Sequence, residues 1–238
     1  MDKQNTVSEI VADNFNTSMV FAKYGIDFCC GGQITLEEAC LKKDIPLQEI
    51  LLALEAISNQ PEKINDKALS ASELIQKIIE VHHQYIQTSA PAIQMYLDKL
   101  VKVHGQNHPE LIEIKSLFEE AWYNLQAHMK KEEKILFPYV EAMEEAINKH
   151  FPLAPPHFGH VDNPIGEMEE EHLIEGDRFK TISALSNQYT VPADGCRTYA
   201  VTYALLREFE EDLHRHIHLE NNVLFPKAKS LYKFIQVS

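Results

Sequence analysis

The sequence predicts an all-α chain, an antiparallel four-helix bundle preceded by a small helical domain. Three observations predict it. Glycine is scarce, 8 of 238 residues, and apolar residues recur at helical spacing nearly everywhere, with only short runs of strand-like alternation. Capping boxes mark three helix starts, at Thr6–Glu9, Thr35–Glu38 and Ser70–Glu73. Beyond Ser70, four long periodic segments follow one another over short connections, as in an antiparallel bundle.

The first helix is expected to start at Thr6, to carry Ile10, Val11, Phe15, Met19 and Val20 on one side, and to stop at Gly25. A tight segment, Ile26-Asp-Phe-Cys-Cys-Gly-Gly-Gln33, leads to a second helix from Thr35. Pro46–Ser58 reads as a third, with Ile50, Leu51, Leu54 and Ile57 apolar. Asn59–Leu69 is polar, contains Pro61 and lacks periodicity, which predicts a linker. The chain thus divides into a small domain with vicinal cysteines (residues 1–60), a linker (61–69) and the bundle (70–238). The bundle helices are expected from Ser70 to about His104, kinked or interrupted near Pro91, and from Pro109 to about Asn148, bent at Pro138. The third spans Pro164 to Tyr189, and the fourth Cys196 to Tyr232 with a bend near Pro226.

Bulk properties narrow the function. Hydrophobic residues at 45% and charged residues at 24% suit a globular protein. The net charge of −14 repels phosphate backbones and anionic lipid, and no local basic patch offsets it, so neither nucleic acid nor membrane is an expected partner. The N-terminal residues show no basic and apolar signal pattern, and no apolar run approaches the roughly 20 residues of a membrane span. Four scattered cysteines, Cys29, Cys30, Cys40 and Cys196, fit no disulfide framework. The expected location is cytoplasmic.

Two segments of the chain match. His128-Met-Lys-Lys-Glu132-Glu-Lys-Ile-Leu136-Phe-Pro138 aligns with His216-Ile-His-Leu-Glu220-Asn-Asn-Val-Leu224-Phe-Pro226, both reading H-x3-E-x3-L-F-P. Residues four apart lie about 40° apart around a helix, so each imidazole and carboxylate point the same way. Ala121, Leu125 and Leu136 continue the first face, and Phe209, Leu213 and Leu224 the second, which turns these polar pairs into the core. Buried carboxylates are costly unless a cation pairs them. His83, on the stripe of Ile75, Ile79 and Ile86, precedes His128 by 45 residues; His172, on the stripe of Ile165, Met168 and Phe179, precedes His216 by 44. Each half thus offers one His from its first helix and an H-x3-E pair from its second. The full set, His83, His128, Glu132, His172, His216 and Glu220, suits two metal ions bridged by carboxylates. It is poorer in carboxylate than a ferritin-type cage, which favours a borderline metal, iron first, then zinc or manganese.

His-His-Gln-Tyr85, the two H-x3-E segments, and Glu169-Glu-Glu-His172 resemble the hemerythrin-like domain of the repair-of-iron-centres family, the di-iron proteins of iron–sulfur cluster repair. Phe21-Ala-Lys-Tyr-Gly-Ile-Asp-Phe-Cys-Cys-Gly-Gly-Gln33 resembles that family's short N-terminal domain. The resemblance covers nearly the whole chain and places the ligands on the same six residues. It implies two iron ions, oxo- and carboxylate-bridged. It also implies repair of clusters damaged by oxidative or nitrosative stress through iron donation, with damaged or apo iron–sulfur proteins as partners. Two alternatives remain: a nitric oxide reductase forming nitrous oxide, and an oxygen- or nitric oxide-binding sensor or carrier. A domain of three short helices would gain from docking on a second copy, so a homodimer is also an expectation.

Other residues carry weaker signals. On periodicity alone His82 rivals His83, and the stripe and family motif select His83. His214 and His218 lie about 200° around the helix from His216 and are expected to face away. His104 reads either as a residue orienting a ligand or as a helix-terminal one, while His108, His150, His157 and His160 fall in loops. Among Glu169, Glu170 and Glu171 one could line a route for iron, and Glu133 is expected off the metal face. Cys29 and Cys30 offer thiol–disulfide exchange, metal or nitrosyl-iron binding, or merely a tight turn eased by Gly31 and Gly32. Cys40 and Cys196 are expected to pack.

Overall fold

The computed structural model describes residues 3–58 and 66–237. Among these the regular structure is helical, and the only strand-like pairing is an isolated bridge between Thr6 and Thr35. Residues 59–65, most of the expected linker, lie outside the described residues; Asp66–Ala68 form a single 3-10 turn. Two compact units emerge, one of Met1–Ile75, Met143–Ala154 and Arg215–Ser238, the other of Gln76–Ala142 and Pro155–His214.

In the first unit, α1 (Val7–Asp13) and α3 (Leu36–Lys43) both begin on complete capping boxes, as expected. The two helix starts are tied together by backbone bonds from Val7 to Ile34 (3.0 Å), Leu36 to Asn5 (3.0 Å) and Ser8 to Gly32 (2.8 Å). The expected single helix to Gly25 is broken. Asn14 leaves helical geometry and caps Asn16, a 3-10 turn follows, and α2 (Ser18–Lys23) restarts. Asparagine competes for the backbone in this way, which offsets apolar periodicity. The break rotates Met19 out of the core, leaving it 59% exposed, while Val7, Ile10, Val11 and Phe21 are buried. Gly25 then turns the chain at φ +63°, where a side chain would be strained. α4 (Leu47–Ser58) buries Ile50 and Leu54. α5 (Ala71–Lys77) starts on the expected Ser70–Glu73 box.

In the second unit four helices alternate in direction. They comprise α6 (Gln84–His104), α7 (Glu110–Lys131), α9 (Asp162–Leu185) and the body of α10 (Arg197–Leu219); α8 (Phe137–Lys149) continues α7. Paired residues rise along one helix as they fall along its neighbour. Asp98 bonds Lys115 and His83 bonds Glu133, Glu120 bonds Arg178 and Lys131 bonds Glu167, and His82 bonds Asp212 while His104 meets Cys196. Phe118, Phe179 and Phe209 form the aromatic centre, with ring centroids 5.2–6.4 Å apart and each ring at most 1% exposed.

α6 runs through Pro91 without interruption, and the hydroxyls of Thr88 and Ser89 donate to carbonyls one turn earlier. The helices widen to π-turns at Ile78–His83, Glu132–Leu136 and Glu220–Leu224. In the last two, the N–H of Phe137 reaches Glu132 and that of Phe225 reaches Glu220, immediately before Pro138 and Pro226. A proline has no N–H to close the regular ladder, so the preceding turn can widen at little cost. α11 (Phe225–Val237) continues beyond the last turn. α9 ends at Leu185 rather than Tyr189, because Asn187, Gln188 and Tyr189 all turn to left-handed φ.

Candidate metal centre and cysteine pair

The π-turns and the residues beside them carry most of the predicted ligands. In the second unit, His83 closes the first π-turn, His128 lies in the last turn of α7, Glu132 opens the second π-turn and His172 lies mid-α9. All four are buried, Glu132 completely. The nitrogen and oxygen atoms of His128, Glu132 and His172 lie within 4.8 Å of one another. Glu132 Oε1 is 3.3 Å from His128 Nε2, and its Oε2 is 3.3 Å from His83 Nε2. His128 Nε2 meets His172 Nε2 at 3.0 Å. In the first unit, His216 and Glu220 are buried together, Nε2 to Oε1 2.9 Å, one helical turn apart.

The far nitrogens explain how the rings are held. His83 Nδ1 donates to Glu133 Oε1 at 2.8 Å, and His128 Nδ1 donates to Glu171 Oε2 at 2.8 Å. A carboxylate accepts only from N–H, so in both rings Nδ1 carries a proton, and in the neutral ring the lone pair is on Nε2. This arrangement is the one imidazole ligands use, with a carboxylate fixing tautomer and rotation from behind. Burial pushes Glu171 up, but hydrogen bonds from His128 and Lys131 outweigh it and hold the carboxyl down at about 2, so it accepts as an anion. Lys131 bridges Glu171 and Glu167, and it also lines a cavity of about 200 Å³ with Leu136, His157, Phe158 and Met168. Inward lone pairs grouped with a fully buried carboxylate fit a divalent transition-metal cation.

Glu133 and Glu171 thus stand behind two of the histidines, a placement that spacing along the chain did not assign to them. Glu133 was expected off the metal face, and it lies on the far, Nδ1 side of His83. The available signal was its adjacency to Glu132, which does not say which ring it backs. His82 also directs Nδ1 to a carboxylate, Asp212 at 2.9 Å.

Cys29 is buried and Cys30 half-buried, with their sulfurs 3.7 Å apart and neither in a disulfide. Asp27 Oδ1 accepts from the backbone N–H groups of Cys29 (3.1 Å) and Cys30 (3.0 Å), and the three side chains form a group that could hold a metal ion. The hydrogen bond with Cys30, burial and the Asp27 charge push the Cys29 thiol up. Gly32 serves the chain's own packing: a Cβ there would meet Phe28 O at 2.5 Å.

Of three further residues, Cys196 alone departs from expectation. His218 is buried, flanked by Phe15 and Phe28 at 5.5 and 6.2 Å; burial, with Arg215 and Lys67 nearby, pushes it down to about 3, so its neutral ring accepts from Asn222 at 3.1 Å. Cys196, expected to pack, is exposed, its sulfur 3.3 Å from His104 Nε2. Cys40 is buried, as expected.

A helical bundle whose repeat places His and Glu one turn apart on buried faces defines a cation-binding helical domain. Residues 74–228 match the hemerythrin HHE cation binding domain, and the chain belongs to that family. Residues 3–58 match a domain described as of unknown function, DUF542. The chain is 32% identical over 225 residues to the iron-sulfur cluster repair protein ScdA of Staphylococcus haemolyticus, spanning 94% of this chain and 97% of that one. It is 33% identical over 228 residues to the probable iron-sulfur cluster repair protein of Haemophilus influenzae, spanning 94% and 96%. It is 31% identical over 226 residues to the iron-sulfur cluster repair protein YtfE of an Enterobacter species, spanning 95% and 97%. No helix among the described residues is long and apolar enough to cross a membrane.

Proposed function

We propose that this protein repairs damaged iron–sulfur clusters, with two iron ions held by His83, His128, Glu132, His172, His216 and Glu220. The observation that carries this reading is the placement of Glu132. One fully buried carboxylate faces His83 through one oxygen and His128 through the other, each at 3.3 Å, the disposition a bridging carboxylate needs. Glu220 holds the equivalent position in the second copy of the repeat, again opening a π-turn beside its histidine. The names of the relatives, matched over nearly their full length, support the repair function.

In this reading residues 1–60 are a cysteine module, 61–69 a linker and 70–238 the metal-holding module. Bound iron supplies an exchangeable source of the metal that damaged clusters lose. The chain's own residues do the rest: Glu133 and Glu171 fix two imidazoles, and buried carboxylates balance the cationic charge. Cys29 and Cys30 act as the redox or iron-transfer pair. The partners are proteins with damaged or apo clusters, met in the cytoplasm under nitrosative or oxidative stress, with nitric oxide or oxygen as small ligands.

The first test is metal content by plasma emission, paired with the visible spectrum of protein purified without added metal. About two irons per chain, the stoichiometry of a carboxylate-bridged bundle, supports the reading; zinc or no metal overturns it. The second test is reactivation of a nitric oxide-damaged iron–sulfur dehydratase. A Glu132→Ala variant that lacks iron yet repairs as well as the native chain would remove iron donation as the mechanism.

A further inference from the structure

Within the first unit, the turn bearing the vicinal cysteines is bound to the helix segment that follows Glu220. Asn221 Nδ2 donates to the carbonyl of Cys29 at 3.2 Å. Asn222 Nδ2 is shared between the carbonyls of Phe28 and Cys29, at 3.3 and 3.4 Å. Gln33, from the far side of the same loop, donates to Asn222 Oδ1 at 3.1 Å, which orients that amide so that its Nδ2 faces the turn. His218, one helical turn earlier, receives the same Nδ2 at 3.1 Å. Asp27 meanwhile holds the two N–H groups of the turn from inside. The N–H groups of the cysteine turn therefore belong to its own loop, and its carbonyls belong to Asn221 and Asn222.

Those two asparagines are the second and third residues of the π-turn that Glu220 opens. An Asn on a helix surface ordinarily bonds water. Both of these are half-buried and spend their amides on a chain segment about 190 residues away. We propose that Asn221 and Asn222 are positioning residues that hold the Cys29–Cys30 turn closed, and that this backbone link couples occupancy at Glu220 to the accessibility of the two thiols. The coupling rests on Glu220 being a metal ligand, whereas the closure does not. A cation on Glu220 narrows the motion of the π-turn, which tightens the grip of the next two residues on the loop. By linkage, opening the loop loosens the same turn.

The test is alkylation of the full-length protein by iodoacetamide, followed cysteine by cysteine by peptide mass. In metal-free protein, Asn221→Ala with Asn222→Ala should label Cys29 and Cys30 about tenfold faster, the effect of losing one or two such hydrogen bonds. Cys40 and Cys196 should keep their native rates. Unchanged rates at Cys29 and Cys30 would overturn the closure. Should all four cysteines label faster in the alanine variant, Asn222→Asp decides. It keeps the side-chain size but turns a donor toward two carbonyls into an acceptor. Selective labelling of Cys29 and Cys30 then supports the proposal, and uniform labelling overturns it.

Anaerobic loading with ferrous iron should slow labelling of both thiols about fivefold or more in the native chain, and not in the alanine variant. Equal protection in both, with equal metal content, would mean that the thiols bind the metal directly, and the coupling fails. If plasma emission finds no bound iron, the di-iron reading fails while the metal-free comparison still judges the closure.

Discussion

Glu133 Oε1 accepts a hydrogen bond from His83 Nδ1 at 2.8 Å, and Glu171 treats His128 in the same way from a different helix. Two of the four predicted ligand histidines are thus oriented from behind by carboxylates outside the predicted ligand set. Each carboxylate fixes a proton on Nδ1, so that in the neutral ring Nε2 is the basic nitrogen on the side of Glu132.

Neutralising either carboxylate should therefore weaken metal binding without removing a ligand. Glu133→Gln and Glu171→Gln are each expected to lower metal affinity about 10–100-fold, measured by competition with a chelator of known affinity. Helix content by circular dichroism should stay native. An affinity unchanged in both would show that the hydrogen bonds do not set the ligand geometry.

The ligand and cysteine functions should separate by mutation. Glu132→Ala or Glu220→Ala is expected to lose most bound iron, whereas Cys29→Ser with Cys30→Ser keeps it and loses thiol chemistry. Plasma emission on the purified variants decides. Iron lost along with the cysteines would contradict the assignment of two distinct modules.

Cys196 should be the most reactive thiol near neutral pH. The backbone N–H of Tyr199 and the His104 ring hold it down at about 7, and it is exposed. Only the thiolate alkylates, so its labelling rate should fall as pH drops through about 7. Replacing His104 by Ala should move that midpoint upward. A midpoint at the ordinary thiol value in the native chain would refute the pairing.

The two glycines after the cysteines should differ. A Cβ on Gly32 would lie 2.5 Å from Phe28 O and 3.0 Å from Ser8 Cβ, whereas one on Gly31 comes no nearer than 3.4 Å to Asp27. Gly32→Ala is expected to cost about 1–3 kcal/mol, the usual range for overpacking, and Gly31→Ala very little. Denaturant melts of both variants against the native chain give the comparison, and equal stabilities would sink it.

Local interactions made much of this protein legible in its sequence. Capping boxes join residues three apart, and all three read from the sequence are present at Thr6, Thr35 and Ser70. The H-x3-E spacing joins residues one turn apart, so each pair could be placed on a single face before any packing was known. Where local preferences compete, periodicity misled. Asn14 broke a helix that the apolar stripe carried on to Gly25, and π-turns formed before Pro138 and Pro226.

The chain alone thus determined the helices, the repeat and the residues able to hold a cation, because these rest on bonds and faces within a few residues. Tertiary structure decided which groups stand behind them. Glu133 backs His83 across 50 residues, Glu171 backs His128 across 43, and Asn222 reaches Phe28 across 194. The same packing buried His218 between Phe15 and Phe28 and left Cys196 at the surface. A side chain's spacing sets its direction around its own helix, but only the elements packed against that face set its partner, its burial and its protonation.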